Sequence, residues 1–140
     1  MASFQAANLG PWSELATHTF EPGPLKKSGK VFLSELLGTT GSEISLNRLE
    51  PGDSYQFLHR HRAHEEIYVI VSGRGDFLID GEQFAVREGS AVRIDPTAAR
   101  AVRASADKAL CYLCIQAVAG SLNSRTVTDG ELVAGEVIWR

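Results

Sequence analysis

The 140-residue sequence has only two cysteines, one methionine and no long apolar run. Two cysteines are too few to indicate a disulfide framework. No apolar segment approaches the roughly 20 residues that a transmembrane helix requires. The first residues also lack the basic region and apolar core of a signal peptide. A reducing cytoplasm is therefore the expected location.

The sequence also lacks an excess of positive charge. Its formal net charge is −3, so it offers no basic surface for nucleic acid or an anionic membrane, and neither partner is expected. An apolar fraction of 44% and a charged fraction of 22% are typical of a globular protein. We expect a single domain over residues 1–140, with a core at about 43–118 between an N-terminal arm, 1–30, and a C-terminal arm, 119–140.

Short strand-like segments separated by turn residues make up the middle of the chain. Turn signals recur about every 8–12 residues, the spacing of an all-β sandwich or barrel. Asp80-Gly81 is the strongest hairpin signal, and Gly73-Arg74-Gly75 indicates a tight connection. No segment of helical length has a 3.6-residue apolar period, and residues 4–15 hold a short helix at best. The predicted strands cover residues 31–37, 43–50, 55–61, 67–71, 77–79, 83–86, 91–94, 101–104 and 110–118.

Both terminal arms are predicted to pack against other protein surfaces. Pro22-Gly23-Pro24 interrupts the first arm, but an aromatic residue such as Phe20 is rare in a disordered tail. The second arm ends in Val-Ile-Trp at 137–139, a candidate edge strand that is too apolar to leave in water. We expect this segment to dock onto the barrel or onto a second subunit.

Three of the four histidines fall within residues 59–64. Residues two apart in a strand point to the same face, so His59 and His61 project together. If the chain then turns back, Glu66 faces the same pair. Two imidazoles and a carboxylate form a facial triad for Fe(II), Mn(II), Ni(II) or Zn(II), with coordination positions left open. His64 is a spare imidazole that would be a further ligand if the loop bends inward, but the preferred interpretation is a solvent-facing loop residue.

Other residues near this cluster have simpler interpretations. Tyr68 lies on the same strand face as Glu66, so it is a candidate pocket residue, either as part of the lining or as a proton donor. Packing in the core with a hydrogen-bonded hydroxyl is an equally good interpretation of Tyr68. Cys111 and Cys114 are three apart and face opposite sides of a strand. They are interpreted as small buried apolar residues rather than a redox or zinc pair.

The stretch 51–116 resembles the cupin family of small β-barrels, which often bind a metal inside the barrel. The first cupin motif matches at Gly52, His59, His61, Glu66 and Gly73, although the interval after Gly52 is one residue longer than the pattern. The hairpin and the glycine that opens the second motif match at Asp80-Gly81-Glu82 and Glu88-Gly89. The resemblance implies a cupin-like jelly roll of two antiparallel sheets, and a homodimer formed through an outer sheet face that includes residues 67–71.

The second cupin motif departs from the family pattern. Counted from Gly89, the proline position holds Asp95, the glycine position holds Thr97, and the histidine position holds Arg100. The fourth metal ligand that the family supplies is therefore absent. A guanidinium stays protonated and has no lone pair to offer a cation.

Arg100 leaves two interpretations open. In the first, His59, His61 and Glu66 hold the metal alone, and Arg100 clamps an anionic substrate beside it. In the second, Arg100 replaces the metal and neutralises Glu66, which leaves a metal-free pocket. A divalent metal is thus the expected cofactor under one interpretation and is absent under the other.

Three classes of function follow from these alternatives. The first is a metal-dependent enzyme of the dioxygenase, isomerase or lyase type acting on a small anion. The second is a non-catalytic protein that binds a small ligand. The third, for which the sequence offers least support, is an interaction module in which the barrel is only a scaffold.

Overall fold

The computed structural model describes residues 3–21 and 26–140, and its regular structure is almost entirely antiparallel strands. A 3-10 helix, Trp12–Thr17, comes first, and one α-helical turn, Ser34–Leu37 (α1), follows the third strand. The strands are Thr19–Phe20 (β1), Lys27–Ser28 (β2), Lys30–Phe32 (β3), Glu43–Leu49 (β4), His64–Ile79 (β5), Glu82–Arg87 (β6), Ala91–Ile94 (β7), Arg100–Ala104 (β8) and Leu110–Val118 (β9). Among the described residues, no helix has the length and apolar character needed to span a membrane.

Two sheets pack against each other and share strand β5. The first half of β5 lies between β7 and β9, and β4 and β3 extend this sheet beyond β9. The second half of β5 lies between β6 and β8. The buried apolar residues of both sheets form one core, in which the Tyr68 and Phe77 ring centroids are 4.9 Å apart. The predicted all-β fold of two antiparallel sheets is confirmed.

Strand β5 is continuous where a tight connection was expected. The prediction of a turn at Gly73-Arg74-Gly75 is wrong, because the pairing of β5 with its neighbours continues through these residues from one sheet to the other, although Gly73 has a φ of 88°. A Cβ atom at Gly73 would lie 1.7 Å from the Ala109 carbonyl oxygen, and one at Gly75 would lie 2.1 Å from that of Arg103. The glycines are therefore needed for close contact with neighbouring backbone, not for a turn.

Other expected strands differ in part from the structure. Residues 55–61 form no regular strand, and only the bridges Ser54–Arg103 and His59–Arg100 connect this segment to the second sheet. The Asp80-Gly81 hairpin is confirmed, since both residues have positive φ and join β5 to β6.

The strand expected at 31–37 ends at Phe32, and Ser34–Leu37 is helical instead. The Glu43 carboxylate accepts hydrogen bonds from the backbone N–H and the hydroxyl of Ser34 at the start of this turn. Gly38 ends the turn at a φ of 66°. These local contacts outweigh the strand pattern of the segment.

The two arms behave differently. The N-terminal arm packs on the body as expected, with Leu15 buried and the Phe20 and Phe32 ring centroids 4.8 Å apart. Pro22-Gly23-Pro24 lies outside the described residues. In the C-terminal arm, residues 137–139 form no strand, and Trp139 is 90% exposed. Docking of this arm onto its own barrel is therefore wrong, while docking onto a second subunit stays a prediction.

The close approach of β8 to Gly75 can be tested by substitution. Gly75→Ala is expected to lower the free energy of unfolding by about 3 kcal/mol, because the new methyl group would overlap the Arg103 carbonyl. Gly41→Ala is the control, since nothing lies within 4 Å of that Cβ position, and a change below about 0.5 kcal/mol is expected. Urea denaturation measures both. A Gly75→Ala variant as stable as wild type would contradict the described packing.

Candidate functional site

The two candidate histidine ligands lie on the irregular segment that runs beside β8. His59 exchanges backbone hydrogen bonds with Arg100, at 3.2 and 3.0 Å, and the His61 N–H donates to the Pro96 carbonyl at 2.8 Å. Glu66 lies on the inner face of β5, opposite Ile94 of β7. Backbone contacts from three segments of the chain therefore position the histidines and the carboxylate.

The structure brings together the three residues predicted from the sequence. One donor atom from each of His59, His61 and Glu66 lies within 4.8 Å of the other two. Nε2 of His59 is 3.6 Å from Oε1 of Glu66, and Nε2 of His61 is 3.3 Å from Oε2. Ligands bound at about 2.1 Å and at right angles on one metal are about 3 Å apart, so this donor set fits a divalent cation. Nε2 of His61 is also buried without a hydrogen-bond partner among the described residues.

Glu66 is surrounded by donors on every side. Its side chain is only 3% exposed. The Tyr68 hydroxyl donates to Oε1 at 3.1 Å, and the Cys114 thiol donates to Oε2 at 3.1 Å. Nη1 of Arg100 lies 3.2 Å from Oε1 in an ion pair. The two histidines approach the same carboxylate. It is therefore oriented by contacts from four chain segments, namely β5, β8, β9 and the segment that holds the histidines.

Arg100 occupies the missing fourth-ligand position and is 1% exposed. Its Nη2 donates to the backbone carbonyl of Asp95 at 2.6 Å. Its Nε and Nη1 are shielded from solvent and make no hydrogen bond within the described chain. In this conformation the guanidinium is therefore the counter-ion of Glu66, and very little of its surface is open to the cavity that it helps to line.

The surroundings of Glu66 keep it ionised. Burial by itself raises the pKa of this carboxyl, but interactions with His59, Cys114 and His61 outweigh burial and lower the pKa to about 2. The folded pKa lies below the ordinary value of 4.5. The stabilisation from these contacts is therefore present above pH 4.5 and is lost as the pH falls through about 2.

Two side chains beside Glu66, His61 and Cys114, are uncharged at neutral pH. Burial lowers the pKa of His61, and the nearby His59 and Arg100 lower it further against the opposing effect of Glu66, so the imidazole is neutral at neutral pH. Burial and the Glu66 charge raise the pKa of the Cys114 thiol, which therefore stays protonated and donates. A neutral imidazole and an ionised carboxylate are the forms in which these side chains bind metal.

A cavity of about 450 Å³ lies beside the triad, and its lining includes residues of both sheets as well as Phe20 of β1 and Lys27 of β2. Most of its wall is apolar or aromatic, including Phe20, Phe32, Tyr55, Phe57, Tyr68, Val102 and Tyr112. Charged residues also line it, namely Lys26, Lys27, Lys30, Glu66 and Arg100. Its volume and largely apolar wall suit a small organic molecule.

The sequence-based roles of the other candidates are partly revised. Tyr68 packs in the core, donates to Glu66 and also lines the cavity, while its role as a proton donor stays a prediction. His64 begins β5 rather than lying in a loop, and its Nδ1 is 3.2 Å from Oε1 of Gln116. Cys111 is buried as expected, but Cys114 is a polar contact of the site and not merely a small apolar residue.

Two site residues had no motif to reveal them. Lys30 was assigned to the arm, yet its ammonium lies in the cavity wall and donates to Asn47 at 2.7 Å. The spacing of Cys114 to Cys111 predicts only a buried residue. Its role depends instead on the pairing of Cys114 with Tyr68 across β5 and β9. The alternation of β9 alone was the available signal, since it places Cys114 on the same face as Tyr112.

The family model of the cupin domain matches residues 45–116. The chain belongs to the cupin family. This cupin is 36% identical over 64 residues to an uncharacterized protein of Methanocaldococcus jannaschii, a match that covers 46% of this chain and 51% of the other. The chain thus spans about half the length of the curated relative it matches.

Solved structures support the same assignment for this cupin. A cupin protein from Bacteroides fragilis is 34% identical with a TM-score of 0.80, and the match covers 96% of this chain and 100% of that one. A predicted oxalate decarboxylase from Thermotoga maritima is 25% identical with a TM-score of 0.51, over 54% of this chain and 64% of that one.

The ion pair between Arg100 and Glu66 can be tested through stability. Arg100→Leu is expected to lower the free energy of unfolding by about 3–5 kcal/mol, because it leaves a buried carboxylate without its counter-ion. Arg103→Leu is the control: Arg103 pairs with Asp76 at 3.0 Å, but its side chain is 55% exposed, and a loss below about 1 kcal/mol is expected. Denaturant titration at neutral pH measures both. Equal effects of the two substitutions would show that the buried pair contributes no more than a surface pair.

Proposed function

We propose that this protein is a metal-dependent cupin that acts on a small organic anion in its barrel cavity. The observation that carries this proposal is the convergence of His59, His61 and Glu66 at the cavity wall, with their donor atoms within 4.8 Å of one another. Three protein ligands leave coordination positions open toward the cavity, as catalytic sites require.

Each residue of the site has a distinct part in this function. A divalent metal bound there supplies a Lewis acid of the kind used in dioxygenase, isomerase and lyase chemistry. Tyr68 and Cys114 hold the Glu66 carboxylate in a fixed orientation through their hydrogen bonds. The aromatic wall excludes water from the substrate body.

The charges of the cavity support an anionic substrate. Four cationic side chains line it against the one carboxylate of Glu66 among the described residues. A bound dication would add to this excess of positive charge. The similarity to a predicted oxalate decarboxylase, an enzyme named for a small dianion, agrees with this substrate class.

A second function is favoured by one contact. Arg100 lies 3.2 Å from Glu66 and already neutralises it, so the carboxylate does not need a metal to be stable. Under this alternative the protein binds its ligand without metal and without catalysis, and the histidines form a polar lining.

We also propose that the protein is a homodimer. The outer side of β5 presents Ile67, Val69 and Val71, which are only partly buried in the single chain. The C-terminal arm exposes further apolar side chains, among them Val133, at 86% exposure, and Trp139. A second copy of the chain would remove both apolar surfaces from water.

Metal analysis tests the first proposal. Untagged protein, reconstituted anaerobically with Fe(II), Mn(II), Ni(II) and Zn(II) in turn, is expected to bind about one equivalent of at least one of them. His61→Ala should reduce the metal affinity by about 10–100-fold or more, since it removes a ligand. Plasma mass spectrometry after desalting measures the content of each variant.

His64→Ala is the matched control, because His64 is a neighbouring imidazole outside the triad that bonds to Gln116. It should retain the wild-type metal content. Less than about a tenth of an equivalent in the wild-type protein would refute the metal-dependent function and leave the metal-free alternative. Metal retained in His61→Ala would show that the ligands are wrongly assigned.

Light scattering tests the dimer. The full chain is expected at twice its mass of 15.2 kDa. Val69→Glu and Val133→Glu should each shift the protein toward the monomer, since each places a charge on an apolar surface. Arg87→Glu, an exposed position on β6, should leave the mass unchanged. A monomeric wild-type chain would rule the dimer out.

A further inference from the structure

The cations that line the cavity are not equivalent. In the described part of the chain, three of the four have a carboxylate partner, and Lys30 has none within 4 Å. The pairs are Lys26 with Glu21 at 3.2 Å, Lys27 with Asp53 at 2.7 Å, and Arg100 with Glu66 at 3.2 Å. A partly buried ammonium without a counter-ion is unfavourable unless something else compensates its charge.

The immediate neighbours of Lys30 compensate it incompletely. Its Nζ donates to Oδ1 of Asn47 at 2.7 Å and lies 5.1 Å from the centroid of the Phe32 ring. Asn47 is itself fixed, since its amide donates to the backbone carbonyl and the hydroxyl of Ser45 at 3.1 and 2.9 Å. An ammonium has three N–H donors, and side chains of the described residues accept only one of them.

The cross-strand register directs Lys30 inward. Lys30 pairs with Asn47 across β3 and β4, and paired residues point to the same face of a sheet. Asn47 is buried, so the ammonium lies on the cavity side of the sheet. Arg100 also faces the cavity, but its free nitrogens are shielded. Lys30 is therefore the better placed of the two to meet a ligand.

We propose that Lys30 binds the anionic group of the ligand, and that the ligand is an organic carboxylate or sulfonate with an apolar, aromatic-sized body. The body lies against the aromatic wall that Phe20, Phe32 and Tyr55 contribute, while the anion accepts hydrogen bonds from the ammonium. This assignment rests on the proposed function, in which the cavity binds a small molecule. It makes Lys30 the residue that contacts the anion, in place of Arg100, to which the sequence pattern gave that role.

The state of Lys30 without ligand agrees with this role. Burial lowers its pKa, and the Glu66 charge only partly opposes that effect. An anion bound at Nζ would supply the missing counter-charge and two further acceptors. Preorganisation by Asn47 means that little side-chain order must be gained when the anion binds.

Two fluorescent probes with the same aromatic skeleton test the proposal. One is 8-anilinonaphthalene-1-sulfonate, and the other is its neutral counterpart, N-phenyl-1-naphthylamine. Wild-type protein is expected to bind the sulfonate about tenfold more tightly than the neutral probe, because a charge-assisted hydrogen bond contributes about that factor. Fluorescence titration at pH 7.5 and constant ionic strength measures both dissociation constants.

Substitutions then locate the anion contact. Lys30→Met should abolish the preference for the sulfonate and leave the affinity for the neutral probe unchanged, while Lys30→Arg should retain the preference. Lys26→Met is the control, since Lys26 also lines the cavity but pairs with Glu21 at its exposed edge. Circular dichroism and thermal unfolding verify that each variant is folded.

The outcomes separate this inference from the proposed function. A preference for the sulfonate that survives Lys30→Met, or equal wild-type affinity for the two probes, would overturn the role of Lys30 whatever the metal content. A preference that persists in metal-free wild type and in His61→Ala would support Lys30 even if metal-dependent chemistry fails. Absence of binding by either probe would overturn both the ligand cavity and the role of Lys30.

Discussion

The compensation of one buried carboxylate organises the interior of this cupin. Glu66 is almost completely removed from water and remains ionised, so the protein must supply donors and positive charge around it. It does so from separate parts of the chain: Tyr68 on β5 itself, Cys114 on β9, Arg100 on β8, and the two histidines on the segment before β5. Contacts to a single side chain therefore link both sheets and the irregular segment between them.

The Glu66 carboxylate can ligate a metal or pair with the Arg100 guanidinium. The chemistry of the site depends on which of these two interactions dominates. Arg100 neutralises Glu66 from the side that the fourth ligand would occupy. A dication bound by the remaining three ligands would make the neighbourhood strongly positive, and an anionic ligand would offset that charge. Without a metal, Glu66 and Arg100 form a neutral pair, and Lys30 is the cavity cation that has no carboxylate partner among the described residues. Under the proposed function, both states of the site would favour an organic anion in the cavity, and only the metal-bound state would react with it.

Local sequence patterns predicted the central features well, because they depend on short-range geometry. His59 and His61 converge with Glu66 as predicted, although their segment is not a regular strand, and Asp80-Gly81 supplies the positive φ values of a tight hairpin. The same patterns failed where long-range contacts decide. Gly73 and Gly75 suggested a turn, but they lie in a strand where the backbone of Ala109 and Arg103 approaches too closely for a side chain. Residues 55–61 alternate like a strand, yet few partners in the second sheet are available to them.

The β architecture, the Asp80-Gly81 turn and the three ligand types could be predicted from the sequence, since alternation, turn chemistry and motif spacing act within a few residues. The charge distribution of the site depends instead on long-range contacts. Lys30 meets Asn47 from 17 residues away, and Cys114 meets Glu66 from 48 residues away. Those contacts depend on the register of β3 with β4 and of β5 with β9, which packing of the whole core sets. The pairing of Arg100 with Glu66 follows from that packing, and so does the absence, in the described part of the chain, of a carboxylate beside Lys30.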